Sequence, residues 1–192
     1  MTNEVTVMKW WSMGALLASL FLLAGCGSAS VQTNGASGTR STPLPAIVAR
    51  VNGVGIHRDA IVQAEALLKN QHGPKPVKKT ARQLEAQAVQ LVIQQVVLAQ
   101  IAKQKGLDPT VAQAKVAYQQ LVKSDPSFLK VVKSTGSTAA GPSPSWISAY
   151  QASTGTGRLI RQAVGHQGIQ AEDTFIHRLV SRAHVVLSPG VP

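Results

Sequence analysis

The stretch "PAIVARVNGVGIHRDAI", Pro45 to Ile61, holds two short β-prone runs, Ile47 to Val51 and Val54 to Ile56, around Asn52-Gly53. Both central positions of a type I′ turn need positive φ, which Asn and Gly tolerate, so the stretch reads as a β-hairpin. Two strands this short do not stand alone in water; a helix or a third strand must cover them.

Covering helices follow. Between Arg58 and Asn70 the residues Ile61, Ala64, Leu67 and Leu68 recur at three- and four-residue steps, and "QHGPKPVKK" (Gln71 to Lys79) then breaks the pattern. Thr80 with Gln83 matches a capping box for a long helix carrying Leu84, Ala88, Leu91, Val92, Val96, Leu98, Ala99 and Ala102, and Gly106 marks its stop. Its apolar stripe is wide, as expected of a central helix buried on more than one side. Asp108-Pro109 reads as a cap and first turn for a helix to about Lys123, with Val111, Ala114, Tyr118 and Leu121 on its apolar side, and Asp125-Pro126 repeats the device for a short helix through Val132.

"KSTGSTAAGPSPS" (Lys133 to Ser145) reads as a loop, with Ser145 capping a helix that contains Trp146, Ile147 and Tyr150. Gly155 and Gly157 are expected to interrupt that helix before a further helical run, Arg158 to Val164. Glu172 to Arg182 carries Phe175, Ile176, Leu179 and Val180 on one face, and Ala183 to Leu187 reads as a strand placed to pair with the hairpin. The fold class is therefore mainly α: a single helical domain over residues 46–192, with a small β element made by the N-terminal hairpin and the C-terminal strand.

Ahead of this domain, Lys9, Trp10 and Trp11 lead into an apolar run from Met13 to Ala24, which ends at Cys26, the only cysteine among 192 residues. With no second thiol there is no intrachain disulfide. The run is shorter than the roughly 20 residues of a membrane-spanning helix, so residues 1–25 read as a cleaved export signal. Leu23, Ala24, Gly25 and Cys26 resemble the bacterial lipobox, which implies that Cys26 is lipidated and becomes the first residue of the mature chain. More than one acyl chain on that residue meets the requirement for stable anchoring. Glu4 sits where such a signal is usually basic, which makes Met8 a better start than Met1. Residues 26–45, rich in Gly, Ser and Thr, read as a flexible tether spanning roughly 25 Å. The expected location is the extracytoplasmic face of a bacterial cell membrane.

The chain carries a net charge of +11, from 19 Lys and Arg against 8 Asp and Glu. The cations are scattered, with Lys75 to Lys79 the one short cluster and no aromatic residues interleaved for base stacking, which argues against nucleic acid as a partner. For an exported protein the charge points instead to anionic lipid or cell-wall polymer.

Val51-Asn52-Gly53, Ile56, the paired aliphatics from Leu91 to Leu98, Ala102-Lys103, Gly106-Leu107 and Asp108, in that order, resemble the N-terminal chaperone domain of the SurA and PrsA family of extracytoplasmic folding factors. The closing "FIHRLVSRAHVVL", Phe175 to Leu187, is similar to the helix and strand that complete that domain, and Ser124 to Gly168 match it least. PrsA-like members are lipoproteins, in keeping with Cys26. The resemblance implies a surface that holds unfolded or secreted client chains through weak apolar and main-chain contacts. A parvulin prolyl isomerase domain, which accompanies this part in the family, needs on the order of 90 to 100 residues, and the sequence leaves no room for one. Isomerase activity is therefore not expected.

Phe128, Trp146 and Tyr150 are the candidate peptide-binding residues, because aromatic side chains anchor interfaces; the competing reading is that they form core. His57, His72, His166, His177 and His184 have no zinc-ligand spacing, so no metal or other cofactor is expected. Ser127 and Lys130 match Ser-x-x-Lys, and Lys133 to Gly136 nearly match Lys-Thr-Gly, but motifs packed so closely cannot build a penicillin-binding site. The expectation is a non-enzymatic, membrane-anchored holdase, with an envelope adaptor or structural lipoprotein bound to one partner as the alternative.

Overall fold

The computed structural model describes residues 44–70, 79–125 and 127–192. Leu23 to Cys26, the tether up to residue 43 and Lys75 to Lys78 lie outside the described residues. The protein is mainly helical with one small antiparallel sheet. In chain order the elements are β1 (Ile47–Val51), β2 (Val54–His57), α1 (Arg58–Asn70), α2 (Ala81–Gln104), α3 (Val111–Ser124), α4 (Phe128–Val132), a 3-10 turn (Lys133–Thr135), α5 (Pro144–Val164), α6 (Ile169–Arg182) and β3 (Val185–Leu187). They fall into two compact units: an aromatic unit, Ile101–Gln162, and a sheet unit that joins Gly27–Gln100 to Ala163–Pro192.

In the sheet unit the strand order is β2-β1-β3, with β1 antiparallel to both neighbours. The hairpin turns at Asn52 (φ 49°) and Gly53 (φ 85°), so both central residues take the positive φ that the dipeptide predicts. Asn52 was chosen over a second glycine for its side chain: its Oδ1 accepts from the His184 backbone N at 3.0 Å, and its Nδ2 donates to Gln100 Oε1 at 2.7 Å. Gln100 Nε2 in turn donates to the Val51 carbonyl at 3.2 Å, and the Asn52 backbone N donates to the His184 carbonyl at 2.8 Å. One amide thus ties the hairpin to α2 and to the start of the last strand. The pairing shifts register between Ile47 and Ala49, a bulge that lets the consecutive residues Val48 and Ala49 both be buried.

Helix α2 starts with the predicted capping box, in which Gln83 N donates to Thr80 Oγ1 at 3.2 Å and Thr80 N donates to Gln83 Oε1 at 2.9 Å. It ends at Gly106 (φ 66°), where Gly106 N reaches the Lys103 carbonyl and Leu107 N the Ala102 carbonyl, a Schellman closure. By length and composition alone α2 is apolar enough to cross a membrane. Its buried residues, among them Ala88, Val92, Ile93 and Val97, lie on more than one side of the helix, as expected of a central core helix.

In the aromatic unit three expectations are corrected. The cap of α3 is Thr110, not Asp108: Thr110 and Gln113 form a reciprocal capping box, and Asp108 lies two residues upstream with its carboxylate against Gly155. Helix α5 runs unbroken through Gly155 and Gly157, with Ser143 rather than Ser145 as its cap. Ser143 Oγ accepts from Trp146 N at 3.2 Å, and Pro144 occupies the first helical position, where its missing N–H costs nothing. Gly155 is a close-approach residue rather than a breaker. A Cβ there would overlap Asp108 Oδ1 and stand 3.3 Å from Ala102 Cβ.

Asn52→Gly keeps the turn's backbone freedom and removes only the amide. It is expected to lower stability by about 1–2 kcal/mol in urea denaturation, the range for losing hydrogen bonds of this kind. Asn52→Asp, which still accepts from His184 N but cannot donate to Gln100, is expected to fall between the two.

Candidate functional site

The three aromatic residues singled out from the sequence do come together, around a fourth, Tyr118. Tyr118 meets Trp146 edge-on (centroids 4.9 Å apart, 81°) and Phe128 likewise (5.5 Å, 63°), while Trp146 stacks on Tyr150 (5.1 Å, 10°). Tyr118 and Trp146 are fully buried with Ala114 and Val132, and Tyr118 Oη donates to the Thr138 carbonyl at 2.9 Å. Trp146 is thereby a core residue and offers a client no surface, whereas Phe128 and Tyr150 stay half-buried at the rim. Tyr118 had shown in the sequence only as one position of a helical stripe.

The loop Lys133 to Ser143, which places Trp146, is tied by hydroxyls. Thr135 and Ser137 are 2.9 Å apart, Ser137 Oγ donates to Ser143 Oγ at 3.2 Å, and Ser145 Oγ donates back to the Thr135 carbonyl at 3.1 Å. Ser137 is buried, so the chain of hydroxyls is part of the fold rather than a hydrated loop.

In the same unit, Asp108 lies against Gly155 and near the positive charges of Lys103 and Arg158. Burial lifts its carboxyl above the ordinary value of 3.8, and the two cations oppose that rise. Arg158 also donates to the Leu107 carbonyl at 3.0 Å.

The sheet unit leaves apolar surface open. Helix α6 has the expected apolar face, Phe175, Ile176, Leu179 and Val180, but none of its residues is fully buried. Ile169 at its first turn is 79% exposed. A groove of about 290 Å³ opens where α5 ends and α6 begins, lined by Ala163, Val164, Ala171 and Phe175 with Gln167 and Arg178 at its polar margin. In β3, Leu187 stands opposite the buried Ala49, yet remains half-exposed. The cover over the sheet's apolar side therefore stops short of the last strand. Among the described residues, no group of three His, Cys, Asp or Glu side chains is placed to hold a metal ion.

The arrangement is a half-covered helix and an open strand edge on one unit, and a closed aromatic core on the other. No protein-family model, no curated protein and no solved structure matches this chain.

Two outcomes test this assignment of roles. Trp146→Ala is expected to cost about 3–5 kcal/mol in urea unfolding, as for other buried large aromatics, and Tyr150→Ala clearly less; equal losses would contradict a core centred on Trp146. For Asp108, the raised folded-state pKa means that the protonated carboxyl favours the fold. That contribution is complete below pH 3.8 and is lost as the pH rises through the folded-state value. Melting temperatures compared with Asp108→Asn are thus expected to shift in favour of the wild-type chain as the pH falls from 7 to 4.

Proposed function

We propose that this protein is a membrane-anchored extracytoplasmic holdase of the SurA and PrsA kind that holds unfolded or secreted chains near the membrane through Cys26. The observation that carries the reading is α6, an amphipathic helix on whose apolar face no residue is fully buried and whose first-turn Ile169 is 79% exposed. The order of elements supports the family resemblance: a hairpin with Asn-Gly at its turn, a long capped helix, and a last helix and strand that return to the hairpin.

The chemistry is non-covalent. A client's apolar side chain set against Phe175, Leu179 or Ile169 gains about 25 cal/mol for each Å² withdrawn from water, so a few such contacts give weak, reversible binding. The outer edge of β3 adds backbone groups with which an extended client segment can pair as a further strand. Neither contact reads a specific sequence, which suits a holdase with many clients.

The mature chain from residue 26, made with Cys26→Ser so that no lipid is attached, is to be added at stoichiometric ratio to two unrelated denatured proteins during dilution. Light scattering is expected to fall for both, the effect surviving moderate salt, and Ile169→Ser is expected to weaken it without lowering stability. Suppression that is absent, or that salt abolishes, would leave an adaptor with one partner as the better reading.

A further inference from the structure

The charge of the chain is unevenly divided. Ile101–Gln162 holds eight Lys and Arg against two carboxylates, Asp108 and Asp125, a denser positive charge than in the remainder, and Asp108 is half-buried. Within it, α3 turns Ala114 and Tyr118 to the aromatic core; Val116 and Lys123 lie opposite and Lys115 on the flank, and all three are exposed. Helix α4 does the same, with Val132 inward and Lys130 and Val131 outward, followed by exposed Lys133. Val116 is 54% and Val131 71% exposed, so each helix carries an open valine beside exposed lysines.

We propose that the exposed lysine and valine faces of α3 and α4 dock on an anionic phospholipid membrane. Lysines supply attraction to phosphate headgroups, about 1 kcal/mol for each one near the surface, and carry their long stems along apolar material. A soluble polyanion would be met by the lysines alone. The exposed valines beside them add apolar contact where an acyl boundary lies beneath the phosphates. The proposal is independent of the holdase reading, since its residues belong to the aromatic unit and the client surface to the sheet unit.

The test is cosedimentation of the mature Cys26→Ser chain with vesicles of phosphatidylcholine alone and with added phosphatidylglycerol, across a salt series. Binding is expected only with phosphatidylglycerol. It should weaken about fivefold for each of Lys115, Lys123, Lys130 and Lys133 changed to Gln, the equivalent of 1 kcal/mol per lysine. A control with the same loss of charge, Lys79, Arg82, Arg178 and Arg182 to Gln, is expected to keep most of the affinity. Val116→Ser with Val131→Ser should remove the binding that persists at high salt. Three results would each overturn the proposal: no binding to phosphatidylglycerol vesicles, equal loss in the control set, or polyphosphate competing fully with the valine changes having no effect. Aggregation suppression by the lysine variant, measured in parallel, is expected to be unchanged, which separates this surface from the client site.

Discussion

The amide of Asn52 is the constraint on which the sheet unit depends. A three-stranded sheet this small has little area of its own to bury, so its third strand must be fixed by something besides packing. Asn52 supplies that fixture because it stands in the left-handed region, where its side chain leaves the turn toward both His184 and Gln100. With β3 fixed at one end by this contact and at the other by Ser188, whose N and Oγ donate to the Val48 and Ile47 carbonyls, β1 becomes a central strand with both edges paired. Val48 and Val51 then have a dry environment, and α1 and α2 have a surface to cover.

The sequence made local signals legible and left the long-range ones hidden. The Asn-Gly turn, both ends of α2, the whole of α1 and the strand near residue 185 were readable because each is decided within a few residues, by φ preference or by a cap. The sequence reading places the cap of α3 at Asp108 because Asp-Pro is a familiar way to open a helix. Thr110 wins in the structure because Gln113 answers it three residues on, as Gln83 answers Thr80. Gly155 could not be read at all: whether a glycine breaks a helix or lets a neighbour approach depends on Asp108 and Ala102, some fifty residues away in the chain. The same limit applied to the candidate site. Phe128, Trp146 and Tyr150 were found as a group, but only the surroundings of Tyr118 decide that Trp146 lies at the centre of a core.

The two units distribute chemistry differently. The sheet unit closes its strands with polar contacts and leaves apolar area open along α6 and Leu187. The aromatic unit spends its rings inward and presents lysines outward. On the two proposals made above, unspecific apolar contact belongs to the sheet unit and charge-directed contact to the aromatic unit, and salt is expected to act mainly on the second.

The pairing of Asn52 with His184 spans 132 residues, and the aromatic unit lies wholly between them. On a chain made from its N-terminus, residues 101–162 are available together while the hairpin still lacks its third strand. The aromatic unit can therefore mature as a contiguous piece, whereas the sheet unit waits for the arrival of β3 and carries an open β-edge throughout that interval. The order of synthesis makes the N-terminal hairpin the first part to form and the last to be sealed.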